Sequence, residues 1–222
     1  MISPKEIIRT DRNSIALTLN EKGDLIVRAP IFMSTEKIYD FIKEKQSWIE
    51  KKQNFIKTTL SQNKEITEYN QIFYLGKKYP VIVVKGLEKA ILTNDHIALP
   101  YTNSQNVKKH NIKTFLCQNI EKVILPKIYS FARKIGVEPA SIKIINSKAK
   151  WGMCDNNHNI YINFKLAMLS TNIIDYVIVH ELCHIKQLNH SKDFWKQVNN
   201  YLPNYKDAIN MIKKADFLIK LF

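Results

Sequence analysis

Near the start of the chain, apolar and polar residues alternate in two short runs, SIALTL (14–19) and DLIVRA (24–29), separated by NEKG. A period of two marks strands with one buried face, and a Gly-containing turn between them marks a β-hairpin. Pro30 should end the second strand. From Ser34 the period lengthens. Ile38, Phe41, Ile42, Trp48, Ile49 and Phe55 share one helical face within residues 34–55, behind a Ser/Thr start followed by Glu36. That is a capped amphipathic helix. IFYLGKKYPVIVV (72–84) predicts two strands about a turn at Gly76, and AILTNDHIALP (90–100) predicts another pair. Residues 1–101 are therefore expected to be a β-rich region with one helix.

Past residue 101 the pattern changes. Residues 105–135 follow helical spacing; Pro126 should kink or split that helix, and Gly136 should close it. SIKIINS (141–147) predicts a strand, and KAKWGMC (148–154) with NIYINF (159–164) a hairpin about DNNH. A helix is expected over 172–188, capped by Ser170, Thr171 or Asn172, with Asp175 in its first turn facing the helix dipole. Helices near 192–200 and 204–219 complete the chain. The expected class is α+β, with a second region, 102–222, built around helix 172–188. No run of about 18 apolar residues is present, so no membrane span is expected. The first residues, MISPKEIIRTDRNS, lack the apolar segment of a secretory signal.

Helix 172–188 is apolar on nearly every side, with Ile173, Ile174, Tyr176, Val177, Ile178, Val179, Leu182, Cys183, Ile185 and Leu188. Such a helix is buried, and a buried polar side chain is costly unless it finds a partner. Yet His180, Glu181 and His184 sit in its middle. Two histidines four apart project from one face, the spacing with which two imidazoles share a Zn²⁺. Glu181, about 80° around the helix, flanks the metal without ligating it and can take a proton from its water. A tetrahedral hydrolytic site needs a third protein ligand and an open position. His190 is the candidate: Asn189 tolerates the left-handed conformation that ends helices, Ser191 is a good N-cap, and the chain turns back between them. Asp193 and Asp207 are alternative third ligands. Cys154 and Cys183 are expected to pack rather than ligate, and His96, His110 and His158 to be solvated or structural.

In KAKWGMC, Trp151 is a large anchor and Gly152 permits close backbone approach. One strand of this hairpin is expected to run beside the metal and offer its edge to an extended substrate.

Charge adds a second possibility. The net charge of +14 is concentrated in residues 71–150, with 14 Lys/Arg against 4 Asp/Glu. Such a segment suits a nucleotide, nucleic acid or another anionic surface. However, 30 of the 34 basic residues are lysine, and arginine, the better phosphate fork, is scarce. Three widely spaced cysteines form no disulfide framework, so a cytoplasmic location is expected.

SWIEKKQ, YLGKKYPVIVV, LPKIYSFARKIGV and above all KAKWGMC…NIYINFKLAM…IIDYVIVHELCHIKQLNHSKDFW resemble the YgjP-like metallopeptidase family, related to WLM and SprT-type zinc proteases. The resemblance spans essentially the whole chain. It implies a zincin-like catalytic domain with one zinc per chain on His180, His184 and His190, and Glu181 as general base. It also implies that the N-terminal β-rich region belongs with that domain. The family's W-G-x-C motif falls on Trp151, Gly152 and Cys154. Lys150 and Met153 stand where the family usually has Arg and Ser, so substrate preference is where a departure is expected. The expected activity is zinc-dependent hydrolysis of peptide or protein substrates, with Lys150, Trp151, Gly152 and Cys154 binding substrate. The alternatives are a metal-dependent nucleotide or polyphosphate pyrophosphohydrolase and a nucleic-acid-associated binding protein.

Overall fold

The computed structural model describes residues 2–20 and 22–222. The chain divides into two compact units, Met1–Lys64 and Glu65–Phe222.

In the first unit, β2 (Ala16–Leu19) and β3 (Leu25–Pro30) form the expected antiparallel hairpin, Leu19 opposite Leu25. Glu21 of its turn lies outside the described residues. Asn20 shapes the turn, its Oδ1 accepting the backbone N–H of Lys22 and of Asp24. The period-two signal did not reveal β1 (Glu6–Thr10), which pairs parallel with β3 and makes it the middle strand. The single expected helix is two, α1 (Thr35–Glu44) and α2 (Gln46–Gln62), broken at Lys45, whose ψ of 9° leaves the helical range. Ser34 caps α1, its Oγ accepting the Lys37 N–H. Alternate residues Leu25, Val27 and Ala29 join Ile38, Ile42 and Ile49 in a core, while Trp48 and Phe55, expected on the same face, are exposed.

A short helix α3 (Lys64–Thr67) spans the boundary. The second unit contains a four-stranded sheet in the order β4-β5-β7-β6, from β4 (Gln71–Tyr74), β5 (Lys77–Val84), β6 (Ile91–Leu92) and β7 (Ile97–Pro100). Both expected strand pairs are present, and β5 also pairs parallel with β7. The boundary expected at 101/102 falls inside this unit, because Ile72, Val81, Ile97 and Leu99 share one core with the helices that follow.

Helix α4 (Gln105–Ile135) passes through Pro126 without ending and stops at Gly136, whose φ is 72°. Ile112, Leu116, Ile120, Ile124, Ile128 and Ala132 form a buried ridge at every fourth position. Packing along that ridge outweighs the one backbone donor that Pro126 removes. A three-stranded sheet follows, ordered β8-β10-β9, from β8 (Ser141–Ile145), β9 (Gly152–Cys154) and β10 (Asn159–Asn163). The expected hairpin is β9–β10, and β9 is one of the sheet's two edge strands. A 3-10 turn (Phe164–Met168) leads into α5 (Thr171–His184), and α6 (Lys192–Tyr201), α7 (Tyr205–Lys214) and a second 3-10 turn (Asp216–Lys220) follow.

Helix α5 is shorter than expected. Its last turn tightens, with Ile185 and Lys186 donating to Leu182 and Cys183 three residues back. Asp175 lies beyond the first turn, and its carboxylate meets Lys127 Nζ of α4 at 2.7 Å instead of serving the helix dipole. Among the described residues no helix is long and apolar enough to cross a membrane.

Candidate metal centre

His180 and His184 project from one face of α5, as i, i+4 spacing requires, and their Nε2 atoms are 3.2 Å apart. His190 lies in the connection to α6 and folds back so that its Nε2 is 3.0 Å from that of His180. The turn that returns it was expected to use a left-handed Asn189. Positive φ among the described non-glycine residues occurs at Tyr69, Leu75 and His158 instead. Asn189 works through its side chain: Oδ1 accepts from Ser191 N–H at 3.2 Å and from Gln187 Nε2 at 2.9 Å. Ser191 then caps α6, its Oγ accepting the Phe194 N–H.

These three histidines form the one group of possible metal-ligating side chains found among the described residues, with their donor atoms all within 4.8 Å of one another. Ligand nitrogens about 2.0–2.1 Å from a tetrahedral zinc stand about 3.3 Å apart, close to the two distances from His180 Nε2 to its neighbours. His184 Nδ1 lies 3.0 Å from the Gln187 carbonyl oxygen. A carbonyl only accepts, so Nδ1 carries the proton and Nε2 presents its lone pair to the centre. Burial, then the neighbouring imidazoles of His184 and His190, push His180 down to about 3. Burial also lowers His184, against its bond to Gln187. His180 and His184 are therefore neutral bases at pH 7, the form a metal binds. Three converging imidazoles suit a borderline-soft cation such as zinc. Asp193, Asp207, Cys154, Cys183, His96, His110 and His158 lie outside this group.

The floor of the centre is a residue that motif reading passed over. Phe194 is fully buried; its ring stacks on His184 at 4.5 Å and stands 5.0 and 4.9 Å from His180 and His190. Trp195 covers His180 and His190 at 5.8 and 5.6 Å. The signal was the adjacent Phe-Trp pair just after His190, one turn into the next helix.

Glu181 is 6% exposed and points toward β9. Burial pushes its carboxyl up to about 8, opposed by a hydrogen bond from the Cys154 backbone N–H and by the charge of Lys150. A Cβ at Gly152 would come within 2.8 Å of Glu181 Cγ and Oε1 and 3.0 Å of Val177 Cγ1. The absent side chain at 152 is thus the space Glu181 occupies. The Asn163 N–H bonds the Trp151 carbonyl. In the antiparallel register that follows, the backbone groups of Gly152 and Cys154 face away from β10. Of these groups, the Cys154 N–H is the one that favours the Glu181 carboxylate.

The family model for the YgjP-like metallopeptidase domain matches residues 13–215. The chain belongs to this family. Among solved structures, the metallopeptidase zymogen of Pyrococcus abyssi abylysin is similar over 40% of this chain and 91% of its own, at 20% identity and a TM-score of 0.38. No curated protein matches the chain.

In this YgjP-like protein the residues expected to bind substrate divide into different surroundings. Trp151 is half-buried against the core, and Lys150 is exposed, its Nζ 3.6 Å from Met153 Sδ. Cys154 is half-buried; burial, then Glu181 and Asp155, push its thiol up to about 11. The Cys183 thiol is likewise raised to about 11 by burial. Burial thus holds both thiols above the usual thiol range, and neither joins the histidine group. His158 is exposed at the tip of the β9–β10 turn with a φ of 61°.

Proposed function

We propose that this chain is a zinc metallopeptidase in which His180, His184 and His190 hold one Zn²⁺ and Glu181 is the general base. The observation that carries this reading is the convergence of three imidazoles, next in sequence to a buried carboxyl group that fills the gap at Gly152. When bound, zinc supplies Lewis acidity, polarising a carbonyl and lowering the pKa of water to about 7.

Glu181 takes the proton of the attacking water and returns it to the leaving amine. Burial favours the protonated carboxyl, and the Cys154 N–H together with nearby positive charge favours the carboxylate. A bound cation beside it would add to the forces that favour the carboxylate, the form that accepts a proton. Gly152 fixes the carboxylate's place by leaving no side chain in it. The substrate adds to the open edge of β9, where the Gly152 backbone groups face away from β10. Peptide or protein chains are the substrate class that can make such a ladder. The three free thiols fit a reducing cytoplasm.

The test is to incubate zinc-loaded protein with a peptide library and a nucleotide panel side by side. Chelator-sensitive peptide cleavage without nucleotide turnover is expected. Nucleotide hydrolysis without peptide cleavage would overturn the reading in favour of a phosphohydrolase.

Gly152→Ala gives a sharper check. The added methyl group has no room beside Glu181 Cγ and Val177 Cγ1. Zinc content should hold while turnover falls about tenfold to a hundredfold, the scale of a misplaced catalytic group. Full activity in a folded, zinc-loaded Gly152→Ala protein would mean that β9 does not position the base.

A further inference from the structure

Tyrosine and cysteine aside, the buried polar side chains among the described residues are Asn163, Lys165, Glu181 and His184. Glu181 and His184 belong to the centre. Asn163 and Lys165 do not, yet both are wholly buried. Burying an amide, and still more an ammonium, is unfavourable without partners, so the partners indicate what the two residues are for.

Asn163 Nδ2 donates to the carbonyl oxygens of Ser147 at 2.8 Å and Lys150 at 2.7 Å. Its backbone N–H donates to the Trp151 carbonyl at 2.9 Å. Lys165 Nζ donates to the same Ser147 carbonyl at 3.1 Å, to the Ile219 carbonyl, and to the backbone oxygen of Phe222 at 3.4 Å. The Lys165 N–H also meets Asn163 Oδ1 at 3.3 Å, joining the pair. Together they grip residues 147–151 and tie them to the second 3-10 turn.

Those residues lead directly into β9. The strand is three residues long and has one sheet neighbour, β10, so its own ladder is short. Its far side carries the Gly152 gap that Glu181 fills. The anchors on one side of this strand therefore decide where the carboxyl group sits on the other.

We propose that Asn163 and Lys165 are positioning residues for the hydrolytic step, clamping the 147–151 loop so that β9 holds Glu181 in its working place. The proposal rests on the reading of Glu181 as the base.

The experiment is a double-mutant cycle on the zinc-loaded full chain. It compares wild type, Asn163→Leu, Asn163→Ser, Lys165→Met, Glu181→Gln and the Asn163 variants combined with Glu181→Gln. Each Asn163 variant should keep its zinc and lower kcat about tenfold. In the Glu181→Gln background the same changes should cost nothing further, because they act through Glu181. Independently of activity, amide hydrogen exchange at Gly152 and Cys154 should quicken in the Asn163 variants while α5 stays protected.

Unchanged kcat and unchanged exchange in the Asn163 variants, with Glu181→Gln inactive, would overturn the clamp and leave the base in place. Losses that add fully to that of Glu181→Gln would also overturn it, as would failure of both Asn163 variants to fold, since either makes the pair a stability device. Full activity of Glu181→Gln alone would overturn the base reading and the clamp with it. If Lys165→Met does not fold, the Asn163 series decides.

Discussion

Glu181→Gln should keep about one equivalent of zinc and lose peptide turnover by two orders of magnitude or more, roughly the contribution of a positioned general base. The substitution preserves volume in a site where volume matters, since the carboxyl group fills the gap at Gly152. The amide can still accept the Cys154 N–H through its oxygen, so β9 should stay where it is. What disappears is basicity. The decline should appear in kcat more than in KM, because proton transfer belongs to the transition state. Elemental analysis and steady-state kinetics on the same preparation provide the check. Loss of zinc in this variant would make Glu181 a ligand, and retained turnover would remove it from the chemistry.

Removal of an imidazole should have the other large effect. His184→Ala and His190→Ala should each weaken zinc binding by more than the 10–100-fold that outer-shell changes typically cost. The two histidines are held differently. His184 is buried and oriented by a backbone carbonyl that no side-chain substitution can remove. His190 is exposed and depends on the Gln187–Asn189–Ser191 contacts for its place. Asn189→Ala should therefore weaken zinc binding too, by less than His190→Ala and without disturbing α5. Competition with a chromogenic chelator measures all three. Wild-type affinity in His190→Ala would take it out of the ligand set and turn attention to Asp193 and Asp207.

The local pattern of the chain determined a good deal of this protein. The i, i+4 histidines with a glutamate between them, in a segment apolar all round, already place two imidazoles on one helix face. Helical geometry needs no distant residue to do so. The hairpins at 16–30 and 152–163 were legible for the same reason, since a turn joins neighbours in sequence. Helix ends were less so. The break at Lys45 and the early stop at His184 follow from hydrogen bonds that no Gly or Pro announces, and Pro126 failed to break α4 because a buried ridge of six side chains held it together.

Only the tertiary structure decided the rest. Gly152 read as a place of close backbone approach, but that the approaching group is Glu181, 29 positions later, depends on how β9 is laid against α5. Parallel pairing of β1 with β3, Phe194 beneath the histidines, and the Asn163–Lys165 grip on the 147–151 loop are decisions of the same kind. Lys165 shows why. Lying between Phe164 and Leu166 in an apolar run, it reads as an interruption, because its partners at Ser147, Ile219 and Phe222 are 18 to 57 residues away. Periodicity reports which face of an element is buried. Which atoms that face meets is settled by packing between elements, where close-packed side chains and satisfied buried polar groups leave few arrangements.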